Sequence, residues 1–229
     1  KLSHKLLVLY LISTIIFLIG HASYLGWDFS VYVLNAQYWF ANGEYFEISR
    51  PPLMSVLLGV FSIFGWETAE YLYLIFASSL FLVSSVVLAR SLKRNPFPFY
   101  LFSLNIFVLT YGLVEGTDLL ALAFFELFIA FLLRDQSFSG VFLGLAALTR
   151  YPFFLFFPLV LFHKSWRKKW CAPVFFFLPL IPWFLYNRFQ YGHFLYSVAD
   201  SYALNVLYRD YVPHFLSTLT VLEVFNILL

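Results

Sequence analysis

From Tyr71 to Ala89 the chain carries no charged residue, and that run does most to limit what it can fold into. A helix of about 20 apolar residues reaches across the hydrocarbon of a bilayer. Glu70–Ala89 is therefore read as a membrane span, closed by the basic cluster Arg90, Lys93 and Arg94. The rest of the chain is of one kind with it. Of 229 residues, 62% are hydrophobic and 11% charged. Soluble domains carry about 25% charged residues, so this supply cannot dress a globular surface. An all-α integral membrane protein follows. The 31 Phe and 16 Tyr suit a lipid-facing wall and interfacial belts. The single cysteine, Cys171, excludes an internal disulfide and a cysteine-based metal cluster.

Leu6–Gly20 is the first span, preceded by Lys1 and Lys5. No small-residue cleavage site follows it, so it does not read as a signal peptide. The first outer loop, residues 21–66, comes next. It holds Gly26-Trp27-Asp28-Phe29-Ser30-Val31-Tyr32, part of the only long mixed-polarity segment in the first half. Asp28–Ala41 reads as a helix, with Asp28 as N-cap and Asn42-Gly43 as the stop. Pro51–Gly65 is apolar but short, either a brief span or a helix lying along the interface. The bases decide. If Pro51–Gly65 lies flat, Arg90, Lys93 and Arg94 share a side with Lys1 and Lys5, as the positive-inside rule favours.

The remaining spans alternate from there: Phe97–Leu113, Leu119–Leu133, Phe138–Leu148, Phe153–Phe162, Ala172–Tyr186 and Phe215–Leu229. The total is about 8 spans of the bilayer-crossing kind, two of them short. Residues 187–214 form a second outer segment. The whole, 1–229, reads as one transmembrane module. It opens on Lys1 and stops within Ile227-Leu228-Leu229, and is read as a piece of a longer protein.

This map sorts the charges. Inside lie Lys1, Lys5, Arg90, Lys93, Arg94, Arg134, Lys164, Arg167, Lys168 and Lys169; Arg50, Arg150, Arg188 and Arg209 lie outside. The acids do the reverse: Asp28, Glu44, Glu47, Glu67, Glu70, Glu115, Asp118, Asp200 and Asp210 are outside. Acids contribute little to topology, so their clustering needs another cause, and a polar site on the outer face supplies one. The N-terminus is placed in the cytoplasm and the site outside it, at a plasma membrane or in the endoplasmic reticulum. Glycine-rich phosphate loops and His-Glu-x-x-His are missing. Nothing points to nucleic acid; the basic run at 163–169 reads as a topology signal.

Several pieces, in order, carry a family likeness. Asp28 opens the outer loop, with Tyr32, Ala36 and Gly43 following. Arg50-Pro51-Pro52-Leu53 leads into a stretch ending at Phe64-Gly65. Then come Leu88-Ala89-Arg90, Gly116-Thr117-Asp118, the run from Gly144 to Thr149-Arg150-Tyr151-Pro152, and Tyr186-Asn187-Arg188-Phe189 before Gly192. In this the chain resembles the GT-C glycosyltransferases, in the branch of protein O-mannosyltransferases and the aminoarabinose transferase of lipid A. It departs from the family at Phe29, where Glu often follows the loop acid, and at Arg50, where many members carry Lys or His. The resemblance implies a GT-C-like helical bundle. It also implies an enzyme that moves a sugar from a polyprenyl-phosphate donor to a hydroxyl on a lipid, glycan or protein acceptor.

Such a transfer needs a base for the acceptor hydroxyl and donors for the leaving phosphate. One carboxylate acting as base predicts inversion at the sugar carbon. Asp28 is the candidate base; the plainer role is the helix cap. Arg50, Arg150 and Tyr32 are candidates for the donor phosphate, guanidinium being suited to bidentate phosphate contacts. For Arg50 the plainer role is an interfacial anchor, and for Arg150 an ion pair with Asp118 or Glu115 that fixes helix packing. Glu115, Asp118, Asn187, His193 and Tyr196 are candidates for sugar or acceptor contact. A divalent metal shared by Asp28, Asp118 and Glu115 stays open. Glu126, in mid-span, is expected to be hydrogen-bonded between helices. A non-catalytic membrane subunit or lipid-handling protein with the same fold is the competing reading.

Overall fold

The computed structural model describes residues 4–114 and 116–204. Among them every regular element is helical. Three helical stretches are long and apolar enough to cross a membrane: His4–Ser23, Trp66–Ser91 and Trp166–Tyr191. The span expected over 215–229 lies outside the described residues. The chain divides into two compact units, Lys1–Phe46 with Pro52–Leu180, and Glu47–Pro51 with Ile181–Leu229.

The larger unit is built around α4 (Trp66–Ser91). α1 (His4–Ser23) runs antiparallel to it, joined by hydroxyls at 2.7 Å: Tyr10 to Ser79, half-buried, and Thr14 to Ser78, buried. α7 (Asp118–Leu133) runs parallel to it. The hydroxyls of Ser84 and Ser85 both reach Glu126 Oε2 at 2.7 Å, and further along Arg134 Nε donates to Ser91 Oγ at 2.9 Å. Glu126 is 7% exposed. Its burial between helices, expected from its mid-span position, is thus satisfied from α4. Interhelical bonds of this sort contribute about 0.6 kcal/mol each on average.

Parallel neighbours need a return segment, and residues 96–111 supply it. One span is expected over 97–113, but the chain forms α5 (Pro96–Ser103) and α6 (Ile106–Tyr111) instead. The cause is Asn105. Its side chain accepts from the Phe107 and Val108 N–H groups at 2.9 and 3.1 Å, offering the backbone a cap in place of continuation. Tyr100 ties α5 to α1 through Ser13 at 3.2 Å.

In the first loop, α2 is Trp27–Phe40, one residue earlier than expected at each end. Asp28 is not the cap. Gly26 takes that place with the extended backbone it requires (φ −64°, ψ 147°), and Asp28 falls in the first turn. A carboxylate there faces the positive end of the helix dipole. The stop is as expected: Asn42 adopts φ 55° and the Gly43 N–H returns to the Gln37 carbonyl at 3.0 Å. α3 (Leu53–Phe61) and a 3₁₀ turn (Ser62–Phe64) follow. At about 1.5–2 Å per residue they fall well short of a bilayer. α3 packs on α2, with the Ser55 hydroxyl donating to the Tyr32 carbonyl at 2.9 Å.

α8 (Ser139–Thr149) comes back antiparallel to α7, and a 3₁₀ helix, Tyr151–Phe162, follows it. Twelve 3₁₀ residues cover about 24 Å, against about 18 Å for an α-helix, so a short leg gains reach. Three residues per turn also sort its side chains into columns. Pro152, Leu155, Pro158 and Leu161 are all exposed, whereas Tyr151, Phe154, Phe157 and Val160 are buried or half-buried. Phe154 and Phe157 both meet Phe176, at ring-centroid distances of 5.8 and 4.8 Å.

α9 (Trp166–Phe177) seats on α8 at Gly140 and Gly144, one turn apart. A Cβ at Gly140 would collide with the backbone of Ala172 and Phe176, and one at Gly144 with the Phe176 carbonyl. Small residues at this spacing let helices approach closely in membranes. Backbone cannot swing aside as a side-chain tip can. Gly140→Val is therefore expected to cost about 1–3 kcal/mol or more, read as a lower melting temperature in detergent, while Ser137→Ala leaves it unchanged.

Candidate functional site

The helix pairings of the larger unit give it two ends. Where α1 stops and α4 and α7 start, the polar residues are His21, Glu70, Asp118 and, across the top of α8, Arg150. His21 Nε2 meets Glu70 Oε2 at 2.9 Å, and its ring sits 4.6 Å from Phe29 and 5.5 Å from Tyr71. The first turn of α2 belongs to this end. A Cβ on Gly26 would strike the Val114 carbonyl, and Phe29 lies against Gly116. Tyr73 donates to the Gly116 carbonyl at 2.5 Å. Asp28, between Gly26 and Phe29, is therefore carried beside the turn that leads into Asp118. It is half-buried.

Asp118 opens α7 and Arg150 closes α8, and the two form an ion pair. Their side chains are 37% and 38% exposed. The plainer role foreseen for Arg150, a pair with Asp118, is thus the observed arrangement. Tyr32 is 3% exposed and forms part of the hydrophobic core. Glu115 lies outside the described residues. Near this end a cavity of about 30 Å³ lies between α1 and α6, lined by Phe17, Gly20, His21, Thr110 and Leu113 among others. It has room for a water and none for a sugar. Among the described residues no three His, Cys, Asp or Glu side chains gather as a metal site.

The other sequence-derived candidates belong to the smaller unit, with α10 (Ile181–Tyr191) and α11 (Tyr196–Tyr202). Arg50 Nε pairs with Glu47 Oε1 at 2.8 Å, and the Ser49 hydroxyl donates to the same oxygen at 2.8 Å. Asn187 is fully buried; its Nδ2 donates to the Trp183 carbonyl at 2.9 Å and to Ser197 Oγ at 3.1 Å. The Trp183 indole also donates to Ser197 Oγ, at 2.9 Å. Tyr196 stacks on Tyr191 at 4.7 Å, and His193 is exposed. Asp200 is buried, and that burial, with the Glu47 carboxylate as the lesser cause, raises its pKa. The Tyr196 hydroxyl is raised too, by burial first and then by Asp200.

The sequence reading missed His21 with Glu70. The two are 49 residues apart, and nothing in either local pattern links them. No family model matches the chain, and comparison with curated proteins and with solved structures finds no match.

Two expectations follow. Both members of the Asp118–Arg150 pair are over a third exposed. Arg150→Gln should therefore lower stability by no more than about 1 kcal/mol in detergent unfolding. For Asp200, ionisation is penalised only in the folded state. The penalty is missing below the ordinary carboxylate pKa and grows as pH rises through the raised one. Asp200→Asn is accordingly expected to match the parent melting temperature below about pH 4 and to exceed it at neutral pH.

Proposed function

We propose that the chain is an inverting membrane glycosyltransferase of GT-C type that moves a sugar from a polyprenyl-phosphate donor to an acceptor hydroxyl. The observation that supports this reading is the packing of the first turn of α2, which holds Asp28, against Val114 and Gly116, at the end of the larger unit where Asp118 pairs with Arg150. Asp28, in the first turn of α2, is assigned to take the acceptor proton. Arg150, half-exposed and oriented by Asp118, supplies a guanidinium for the leaving phosphate. The resemblance further names Arg50 for the phosphate and Asn187, His193 and Tyr196 for sugar or acceptor, all of them residues of the smaller unit. A divalent metal is not required by these roles.

The proposed topology has about 8 crossings, the basic end in the cytoplasm and the acidic end outside. The broken segments α5–α6, α8 and the 3₁₀ helix then count as spans although each is short. A second reading has one observation in its favour. The Asp118–Arg150 pair fastens α7 to α8, as a non-catalytic subunit or lipid-handling protein would also need.

Activity separates the two. With radiolabelled polyprenyl-phosphate sugars and purified protein, Asp28→Asn is expected to lower transfer by about 10²–10⁴-fold while helix content is kept. Full transfer by that variant would remove the base. Absence of transfer by the parent chain with every donor tried would favour the subunit.

A further inference from the structure

At the opposite end of the larger unit the chain turns from the 3₁₀ helix into α9 through His163, Lys164 and Ser165. One acid organises the corner. Asp135 Oδ1 accepts from the Lys164 N–H at 2.9 Å and meets His163 Nδ1 at 3.1 Å, and Oδ2 pairs with Lys168 Nζ at 2.8 Å. Lys168 also donates to the Asp135 carbonyl at 2.6 Å. The buried His163 ring bridges on to Ser139 Oγ at 3.2 Å, which fixes the corner to the start of α8. The Lys168 ammonium leads the contacts that hold the Asp135 carboxyl down at about 2. The turn is therefore a built structure with its acid already committed.

What it presents outward is different. Trp166 and Trp170 are 71% and 65% exposed and meet edge to face at 5.8 Å. A helix turns about 100° per residue, so Arg167 and Lys169 flank this Trp stripe at about 80° on either side and Lys168 points away from it. That is the residue the corner engages through Asp135. Lys164 and Arg167 are exposed, Lys169 is half-buried, and among the described residues none of the three has an acidic partner. The first turn of α9 holds no acid. Its cations sit at the positive end of their own helix dipole, where they repel it rather than complement it. Trp favours the headgroup level of a bilayer, and Lys and Arg near an anionic surface each gain about 1 kcal/mol, or about fivefold in affinity.

We infer that Lys164, Arg167 and Lys169, with the Trp166–Trp170 pair, form a surface that binds the phosphate headgroups of anionic phospholipids in the leaflet this end meets. The aromatic pair rests among the acyl glycerol ester groups while the flanking cations take headgroup phosphates on either side. This surface is independent of sugar transfer.

The test uses the full chain in nonionic micelles and phospholipids with brominated acyl chains, which quench tryptophan on contact. Brominated phosphatidylglycerol is expected to quench at a lipid fraction at least about tenfold, and up to about a hundredfold, below that needed with phosphatidylcholine. High salt should narrow the difference, and Trp166→Phe with Trp170→Phe should remove most of the quenching. Lys164→Gln, Arg167→Gln and Lys169→Gln together should abolish the preference. Arg90→Gln, Lys93→Gln and Arg94→Gln, equal in charge change, should keep it. Equal quenching by the two lipids, equal loss in both triple variants, or displacement by soluble glycerol phosphate at the same concentration as lipid would each overturn the assignment. The salt response of the parent chain stands even if a variant fails to fold.

Discussion

The larger unit depends on the parallel packing of α4 and α7. Two neighbouring helices that run the same way cannot be joined by a tight turn. The chain must first travel back along them, and α5 and α6 make that journey. The same constraint puts the starts of α4 and α7 at one end and their basic finishes at the other. Glu126, taking hydroxyl contacts from Ser84 and Ser85, sets the register of the pair halfway along. Ser84 Oγ lies 2.9 Å from the Phe81 carbonyl as well.

The all-helical, apolar character of the chain and several element ends were legible because apolar length and charge position are one-dimensional signals. The uncharged run before Arg90, the turn at Asn42-Gly43 and the corner at Arg134-Asp135 all lie where the residues place them. What failed was local competition. Asp28 looks like a cap, but Gly26 adopts the cap backbone and leaves the carboxylate inside the helix. Phe97–Leu113 looks continuous, because hydropathy does not register an Asn side chain that outcompetes a carbonyl.

The candidate site was legible in part. Asp118 and Arg150 could be named from their positions at helix ends, and their pairing was one of the alternatives weighed. His21 with Glu70 could not be, since such a contact exists only after α1 has folded against α4. The packing of α8 on α9 was hidden for another reason. Gly140 and Gly144 mark a close approach by the absence of side chains, which an apolar count does not see.

The 3₁₀ helix at Tyr151–Phe162 is apolar on every side, so hydrophobicity alone cannot tell it which column to turn inward. Its orientation is fixed by counting from its ends. With three residues to a turn, adding or removing one residue would rotate everything beyond by about 120°. With one residue added, Val160 would trade its place against the neighbouring helices for the exposed position that Leu161 holds. In this segment the spacing between Arg150 and His163 is itself information, and it decides which column faces the neighbouring helices where the identity of the Phe and Leu residues between them cannot.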